Sequence, residues 1–268
     1  MRAVSLAGDV AMPIVGFGTW QLKGTQAYQA VRLALEAGYR HIDTATMYGN
    51  EEEVGRALHD SGLDRADVFI TTKLPPNAAG RERETITASL RALDTEYVDL
   101  WLVHWPPAGR AAPQMWLEFL TARSRGQARA VGVSNYRIDQ VDELIRATGE
   151  APAVNQIPWS PGQHDTDRLS EIRGRGVVVE GYSPLKGTRL SAQTLADIAQ
   201  RHDVTPAQVV LRWHIEHGIP VIPKSTHRER IAENAQIFDF ALSDEDMAEL
   251  DALDRTKGTD RALERKWW

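Results

Sequence analysis

A chain of 268 residues with 42% hydrophobic and 25% charged residues has the mixture of an ordinary folded protein and can bury a sizeable core, which excludes a disordered polymer. The lack of cysteine rules out disulfides, thiolate catalysis and thiolate metal sites, and a net charge of −6 argues against broad contact with nucleic-acid phosphates. No run of about 18 apolar residues occurs, and the opening residues lack a basic segment followed by a long apolar one; the expectation is a cytoplasmic protein that is neither exported nor membrane-spanning, with a monomer as the default.

In chain order, Ala7-Gly8-Asp9 predicts the turn of an opening hairpin. Short β-branched runs then alternate with amphipathic stretches. The strand candidates are Ile14–Phe17, His41–Asp43, Phe69–Thr72, Leu100–Val103, Ala130–Val133, Ala153–Gln156, Val177–Gly181 and Pro220–Ile222. Between them, Ala27 to Ala37 has helical spacing and stops at Gly38, a residue that accepts the left-handed conformation of a helix end. Thr205-Pro206 predicts a capped helix start, and so does Ser243 before three acids; that last helix follows the eighth unit and is an addition to it. No linker or low-complexity tract divides the chain, which predicts one domain over residues 1–268.

Alternation of this kind suits an open doubly wound sheet as well as a closed barrel. About eight units favour an α/β (β/α)8 TIM barrel with an N-terminal β-hairpin and an extra C-terminal helix. Gly16-Phe17-Gly18 is followed by Thr19-Trp20-Gln21, so the dinucleotide fingerprint of the open fold is missing.

Four ionisable residues stand where successive strand candidates end: Asp43, Tyr48 in the loop after it, Lys73 and His104. In a barrel these ends meet on the face where active sites form. A phenol titrates near 10, and a neighbouring ammonium lowers that by favouring the phenolate. Lys73 would supply the charge, Asp43 would hold Lys73, and His104 would orient a carbonyl. Nothing in this set activates a nucleophile or holds a metal, so a separate hydride donor is implied. The competing reading of each residue alone is structural: an ion pair for Asp43 and Lys73, a wall residue for Tyr48.

From about Val10 to Leu253 the sequence resembles the aldo-keto reductase family, through VGFGTW, GYRHIDTATMYGNEEEVG, TTKL, VDLWLVHWP, VGVSNY, NQI, GYSPL and VIPKSTHRERIAENAQIFDFALSDEDM in the family's order. Among its members it looks similar to short bacterial 2,5-diketo-D-gluconate reductases. The resemblance implies NADPH-dependent reduction of a small carbonyl substrate, with Asp43, Tyr48, Lys73 and His104 as the catalytic residues. It further implies that Lys224, Ser225, Thr226 and Arg230 receive the adenosine 2′-phosphate of NADPH/NADP+ and that Glu233 and Asn234 contact the adenine. Ser134, Asn135 and Gln156 would bind the carboxamide, Tyr182 would stack on the nicotinamide, and Ser183, Leu185 and Gly187 would lie along the pyrophosphate, with Gly18, Thr19 and Trp20 completing the cofactor set. Independently of the family, a strand entering a helix at Lys224 to Arg230 is suited to an anion.

For the substrate, Trp20, Tyr48, His104 and Trp105 are the candidates, with core packing the alternative for both tryptophans. The stretches Trp105 to Arg110 and Gly187 to Leu190 are brief and predict an open pocket; Pro75-Pro76 departs from the family's usual sequence and leaves the wall near Lys73 open. Trp267-Trp268 could fray or fold over the pocket. His214 and His217 have a spacing that can suit a metal, but without a third ligand they predict a packing or surface pair, and no metal is assigned. Two rival functions are a Schiff-base aldolase using Lys73 and a non-catalytic barrel that binds NADPH as a redox sensor or structural protein.

Overall fold

The computed structural model describes residues 2–254. Strands β1 (Ala3–Leu6) and β2 (Val10–Pro13) pair antiparallel across the expected Ala7-Gly8-Asp9 turn. The hairpin is a stopper: Leu6, Val10 and Met12 pack with Phe69, Leu100, Leu102, Ala130, Ala153 and Val154, most of them at or near the starts of barrel strands. One end of the barrel is thereby closed with apolar side chains, and the other is left for chemistry.

Eight parallel strands follow one another around the barrel: β3 (Phe17–Gly18), β4 (His41–Asp43), β5 (Phe69–Leu74), β6 (Val98–Val103), β7 (Ala128–Ser134), β8 (Val154–Pro158), β9 (Val178–Tyr182) and β10 (Val221–Ile222). The first candidate, Ile14–Phe17, divides its work. Only its last residue joins β3, while Val15 bridges Val221 and the Gly16 amide donates to the Val221 carbonyl at 2.9 Å, closing β10 onto the start of the sheet. Closure removes both sheet edges and decides between the barrel and the open sheet.

The helices are α1 (Gly24–Glu36), α2 (Glu51–Ser61), α3 (Glu82–Ala92), α4 (Pro113–Ser124), α5 (Ile138–Thr148), α6 (Thr166–Arg173), α7 (Gln193–His202), α8 (Pro206–Glu216), α9 (Arg228–Ala235) and α10 (Asp244–Asp251). Strand β6 shows how they are held, since every one of its residues is buried. Leu100 and Leu102 face the barrel interior cluster, while Trp101 stacks on Phe119 of α4 at 3.7 Å between ring centroids. Such stacking adds about 0.5–1.5 kcal/mol to the area buried.

Gly38 sits at φ 94 beyond α1, as its place after the helical run requires. Thr205 accepts from the Gln208 amide and Gln208 reaches back to the Thr205 amide, a capping box with Pro206 in the first turn. Ser243 and Asp246 repeat the device for α10, the added C-terminal helix. A second addition, α7, stands beside α8 between β9 and β10; the sequence reading did not separate the two. Among the described residues no helix is long and apolar enough to cross a membrane.

Candidate active site

The strand ends opposite the hairpin surround a cavity of about 470 Å³. Asp43, Tyr48 and His104 line it, and Lys73 lies directly behind them with no exposed surface. Lys73 Nζ donates to Asp43 Oδ1 at 2.6 Å and to the Thr44 carbonyl at 2.9 Å. The same ammonium is 5.2 Å from the centroid of the Tyr48 ring, which meets the His104 ring edge-on at 5.6 Å. Tyr48 is carried on a short turn, Thr46–Tyr48, whose Thr46 hydroxyl donates to the Lys73 carbonyl at 3.0 Å and whose Tyr48 carbonyl accepts from Lys23 Nζ. Strands β4, β5 and β6 thus bring the four expected residues together.

The electrostatics differ from expectation at one point. Burial, followed by the charges of Asp43 and Glu180, pushes the Tyr48 phenol well above its ordinary value rather than below it. Lys73 spends its charge on Asp43, and desolvation outweighs the help it was expected to give the phenolate. His104 is held well below the usual imidazole range by burial and then by Lys73, so its ring is neutral and keeps one N–H to donate.

Behind this group a polar layer fills the barrel. Gln156 Nε2 donates to Asp43 Oδ2 and to Glu180 Oε2, each at 2.8 Å. Ser134 Oγ donates to the Gln156 carbonyl at 2.9 Å, Asn135 Nδ2 donates to Ser134 Oγ and to the His104 carbonyl, and Tyr182 donates to Asn135 Oδ1 at 2.9 Å. Gln156, with both amide hydrogens engaged, retains its side-chain oxygen for a ligand. Asn135 at φ 64 and Ser183 at φ 53 adopt the left-handed region immediately after β7 and β9. At a serine this costs about 1–3 kcal/mol, and both residues line the cavity.

Of the other cofactor candidates, Gly18, Trp20, Ser183, Leu185, Gly187 and Lys224 also line the cavity. Thr19 does not. It is fully buried, its amide and hydroxyl each donating to the Asp43 carbonyl at 3.0 Å, so its evident work is to fix the β3 end against β4. Ser225, Thr226, Arg230, Glu233 and Asn234 lie outside the cavity lining, along the loop after β10 and on α9. Arg228 is drawn into an ion pair with Glu36 at 3.2 Å, whereas Lys224 and Arg230 enter no ion pair among the described residues.

Trp20 is 39% exposed at the mouth, with Lys186 Nζ 5.4 Å from its ring centroid, and Trp105 lines the wall beside His104. Several lining residues escaped the sequence reading, among them Met47, Trp159 and Ser160. A signal existed for the last two, because they follow the β8 end that carries Gln156. The loop after β8 meets the loop after β9 with almost no space between. A Cβ on Gly162 would stand 2.4 Å from the Gly187 carbonyl, one on Gly187 would stand 2.2 Å from Ser160 Oγ, and the Gly162 amide donates to Thr188 Oγ1 at 3.0 Å.

His214 lies with its ring nitrogens 2.7 Å from the Val210 carbonyl and 3.0 Å from that of Trp159, while His217 pairs with Asp251 at 3.0 Å. The two rings serve different partners, as a packing pair would. Trp267 and Trp268 lie outside the described residues.

The model of the family described as "Aldo/keto reductase family" matches residues 14–255. The chain is 41% identical to the morphine 6-dehydrogenase of Pseudomonas putida, over 94% of this chain and 90% of that protein. It is 39% identical to the glyoxal reductase of Bacillus subtilis, over 94% and 92%. These names do not support the finer likeness to 2,5-diketo-D-gluconate reductases. Among solved structures, an aldo/keto reductase from Brucella melitensis superposes with a TM-score of 0.91 at 42% identity, covering 94% of this chain and 98% of that one. An aldo-keto reductase from Bombyx mori in complex with NADP gives 0.87 at 32% identity, covering 94% and 92%.

Proposed function

The chain belongs to the aldo/keto reductase family, and from that premise we propose that it reduces aldehydes and ketones to alcohols with NADPH as hydride donor and Tyr48 as proton donor. The observation that carries this reading is a phenol and a neutral imidazole meeting on one cavity with a buried ammonium directly behind them, 5.2 Å from the phenol ring centroid.

The residues present fit a nicotinamide dinucleotide. Among the described residues, two that line the cavity, His104 and Ser160, carry a buried polar atom without a hydrogen-bond partner, Nδ1 and Oγ, and Tyr182 gives the cavity an aromatic wall. Lys224, Ser225, Thr226 and Arg230 would hold the 2′-phosphate, Glu233 and Asn234 the adenine, and Ser183, Leu185 and Gly187 the pyrophosphate. Gly18 and Trp20 would border the cofactor, with Thr19 holding that strand end in place. Ser134, Asn135 and the Gln156 side-chain oxygen would face the carboxamide. When bound, NADPH supplies the hydride that attacks the carbonyl carbon.

The chain's own groups manage the proton and the charge. His104, neutral, donates its N–H to the substrate oxygen and orients it. Tyr48 gives that oxygen a proton. Its raised value keeps the phenol protonated through the neutral range, and because an alkoxide is far more basic than a phenolate, transfer remains downhill. Lys73 then faces the phenolate across the ring, anchored by Asp43. Trp20 and Trp105 would flank the substrate.

A Schiff base on Lys73 would require breaking a 2.6 Å ion pair on a side chain sealed from the cavity, so the aldolase reading is disfavoured. The test is absorbance at the nicotinamide band with a panel of aldehydes and ketones, NADPH and NADH in parallel. Oxidation of NADPH with formation of alcohol supports the proposal; tight binding with no turnover supports the non-catalytic binding barrel, and a borohydride-trapped adduct on Lys73 supports the aldolase.

A further inference from the structure

Glu180 takes no direct part in the proposed transfer of hydride and proton. It lies in the middle of β9, fully buried inside the barrel, at the register position paired with Gln156 of β8. One oxygen, Oε2, accepts from the Gln156 amide, the same amide that donates to Asp43 Oδ2. The other, Oε1, is buried with no hydrogen-bond partner. Two carboxyl groups therefore share one amide, and the one ammonium beside them among the described residues, Lys73, bonds Asp43.

Strand β4 presents His41, whose Nε2 is 3.8 Å from Glu180 Oε1, and Asp43; β5 presents Lys73. Burial holds His41 down to about 3, so it is neutral and offers no countercharge. Strand β8 contributes Gln156, which does not titrate, and the two residues of β10, Val221 and Ile222, are apolar. The Tyr48 phenol faces the same group, and the Glu180 charge is one cause of its raised value. His214 of α8 packs against Gly181 next along β9 and is itself held to about 4 by burial, so it too carries no charge at neutrality.

Asp43 and Lys73 form an ion pair at 2.6 Å, so the buried group is neutral only while Glu180 keeps its proton. Burial and the Asp43 charge do keep it, pushing Glu180 up to about 8 against the opposing pull of Gln156 and Lys73. An ionised Glu180 would leave one negative charge unbalanced in the barrel, a costly arrangement unless a cation arrives. Gln156 and Asp43, the groups that stand between Glu180 and the cavity, both line it.

We propose that Glu180 balances the charge of the nicotinamide: it holds its proton while the reduced, uncharged ring is bound and releases it to solvent while the oxidised, cationic ring is bound. The inference rests on the cofactor reading given above. It makes Glu180 a positioning residue that acts through Gln156 and Asp43 and keeps the barrel interior neutral in both states of the cofactor.

The experiment counts protons on cofactor binding, with binding followed independently by quenching of tryptophan fluorescence. In weakly buffered solution at pH 7, NADP+ should release about one proton per chain more than NADPH does. The adenosine phosphate is common to both cofactors, so the difference isolates the ring. Glu180→Gln, which copies the shape of the protonated acid, should bind both cofactors and lose the difference. A readout on the unaltered protein removes any dependence on the variant's folding: the infrared carbonyl band of a protonated carboxyl group should fade on adding NADP+ and persist on adding NADPH. Binding of both cofactors with equal proton counts, a difference that survives in Glu180→Gln, or an infrared band indifferent to NADP+ overturns this inference alone. Failure of either cofactor to bind overturns the cofactor reading and this inference with it.

Discussion

Replacing Lys73 by methionine keeps the length of the side chain and deletes its charge, and the structure sets the size of the loss. The ammonium is 2.6 Å from Asp43 Oδ1 and 2.9 Å from the Thr44 carbonyl, with no side-chain surface in contact with solvent. In the variant Asp43, 2% exposed, keeps the Gln156 amide as its side-chain donor and still faces Glu180 across that amide. Stripping the partner from a buried ion pair costs about 3–5 kcal/mol, a large part of the roughly 5–15 kcal/mol that holds a domain folded. Asp43→Asn should cost a comparable amount by stranding the ammonium. The double variant strands neither, so it should be more stable than the two single losses added together predict, by about 2 kcal/mol. Urea unfolding followed by tryptophan fluorescence measures all four proteins, with unchanged m-values as the condition for comparing them. A loss under about 1 kcal/mol for Lys73→Met, or strictly additive single losses, would refute the view that this pair is a tightly bound, desolvated unit.

Tyr48→Phe should lower kcat/KM by about 10²–10⁴ while leaving NADPH affinity nearly intact, as measured by nicotinamide absorbance and tryptophan quenching; near-normal turnover overturns the proton-donor assignment. Arg230→Ala should weaken NADPH about 10–100-fold and NADH much less, since a charge-assisted hydrogen bond is worth about 1.5–3 kcal/mol, and equal losses for both cofactors would remove Arg230 from the phosphate site. Acid should destabilise the fold. His41 and His214, held to about 3 and about 4 against 6.5 in the unfolded chain, refuse protons that the unfolded chain accepts, so their contribution falls with pH below 6.5. Glu180, raised from 4.5 to about 8, works the other way, its contribution declining as pH rises across that window. His104, also held down by burial, adds to the histidine side, so stability should fall between pH 6.5 and 5 by urea unfolding, and constant stability would contradict it.

Strand ends and turns are local features, and the residues announce them well. The hairpin at Gly8, the stop at Gly38, the boxes at Thr205 and Ser243 and the positions of Asp43, Lys73 and His104 at strand ends all follow from neighbours a few places apart. What escaped is set across the barrel. Gln156 meets Asp43 over 113 positions of chain, and that bond is part of what ties Glu180 to the site; only the acid's odd presence in an apolar run, Val177 to Tyr182, hinted at it. The same distance explains the phenol: a charge pattern suggested that Lys73 would acidify Tyr48, but burial depends on the whole assembly and dominates. Thr19 carried a family role on paper and a β3–β4 clamp in space.

The glycine seam at the rim has a practical consequence. Because Gly162 and Gly187 let two backbones touch, the segment that shapes the substrate wall cannot shift without pushing the segment assigned to the pyrophosphate. On the proposed cofactor reading, libraries that diversify residues 159–163 to broaden the range of accepted carbonyls should therefore alter how fast the dinucleotide leaves as well. Turnover and selectivity should be screened together in any redesign of this mouth.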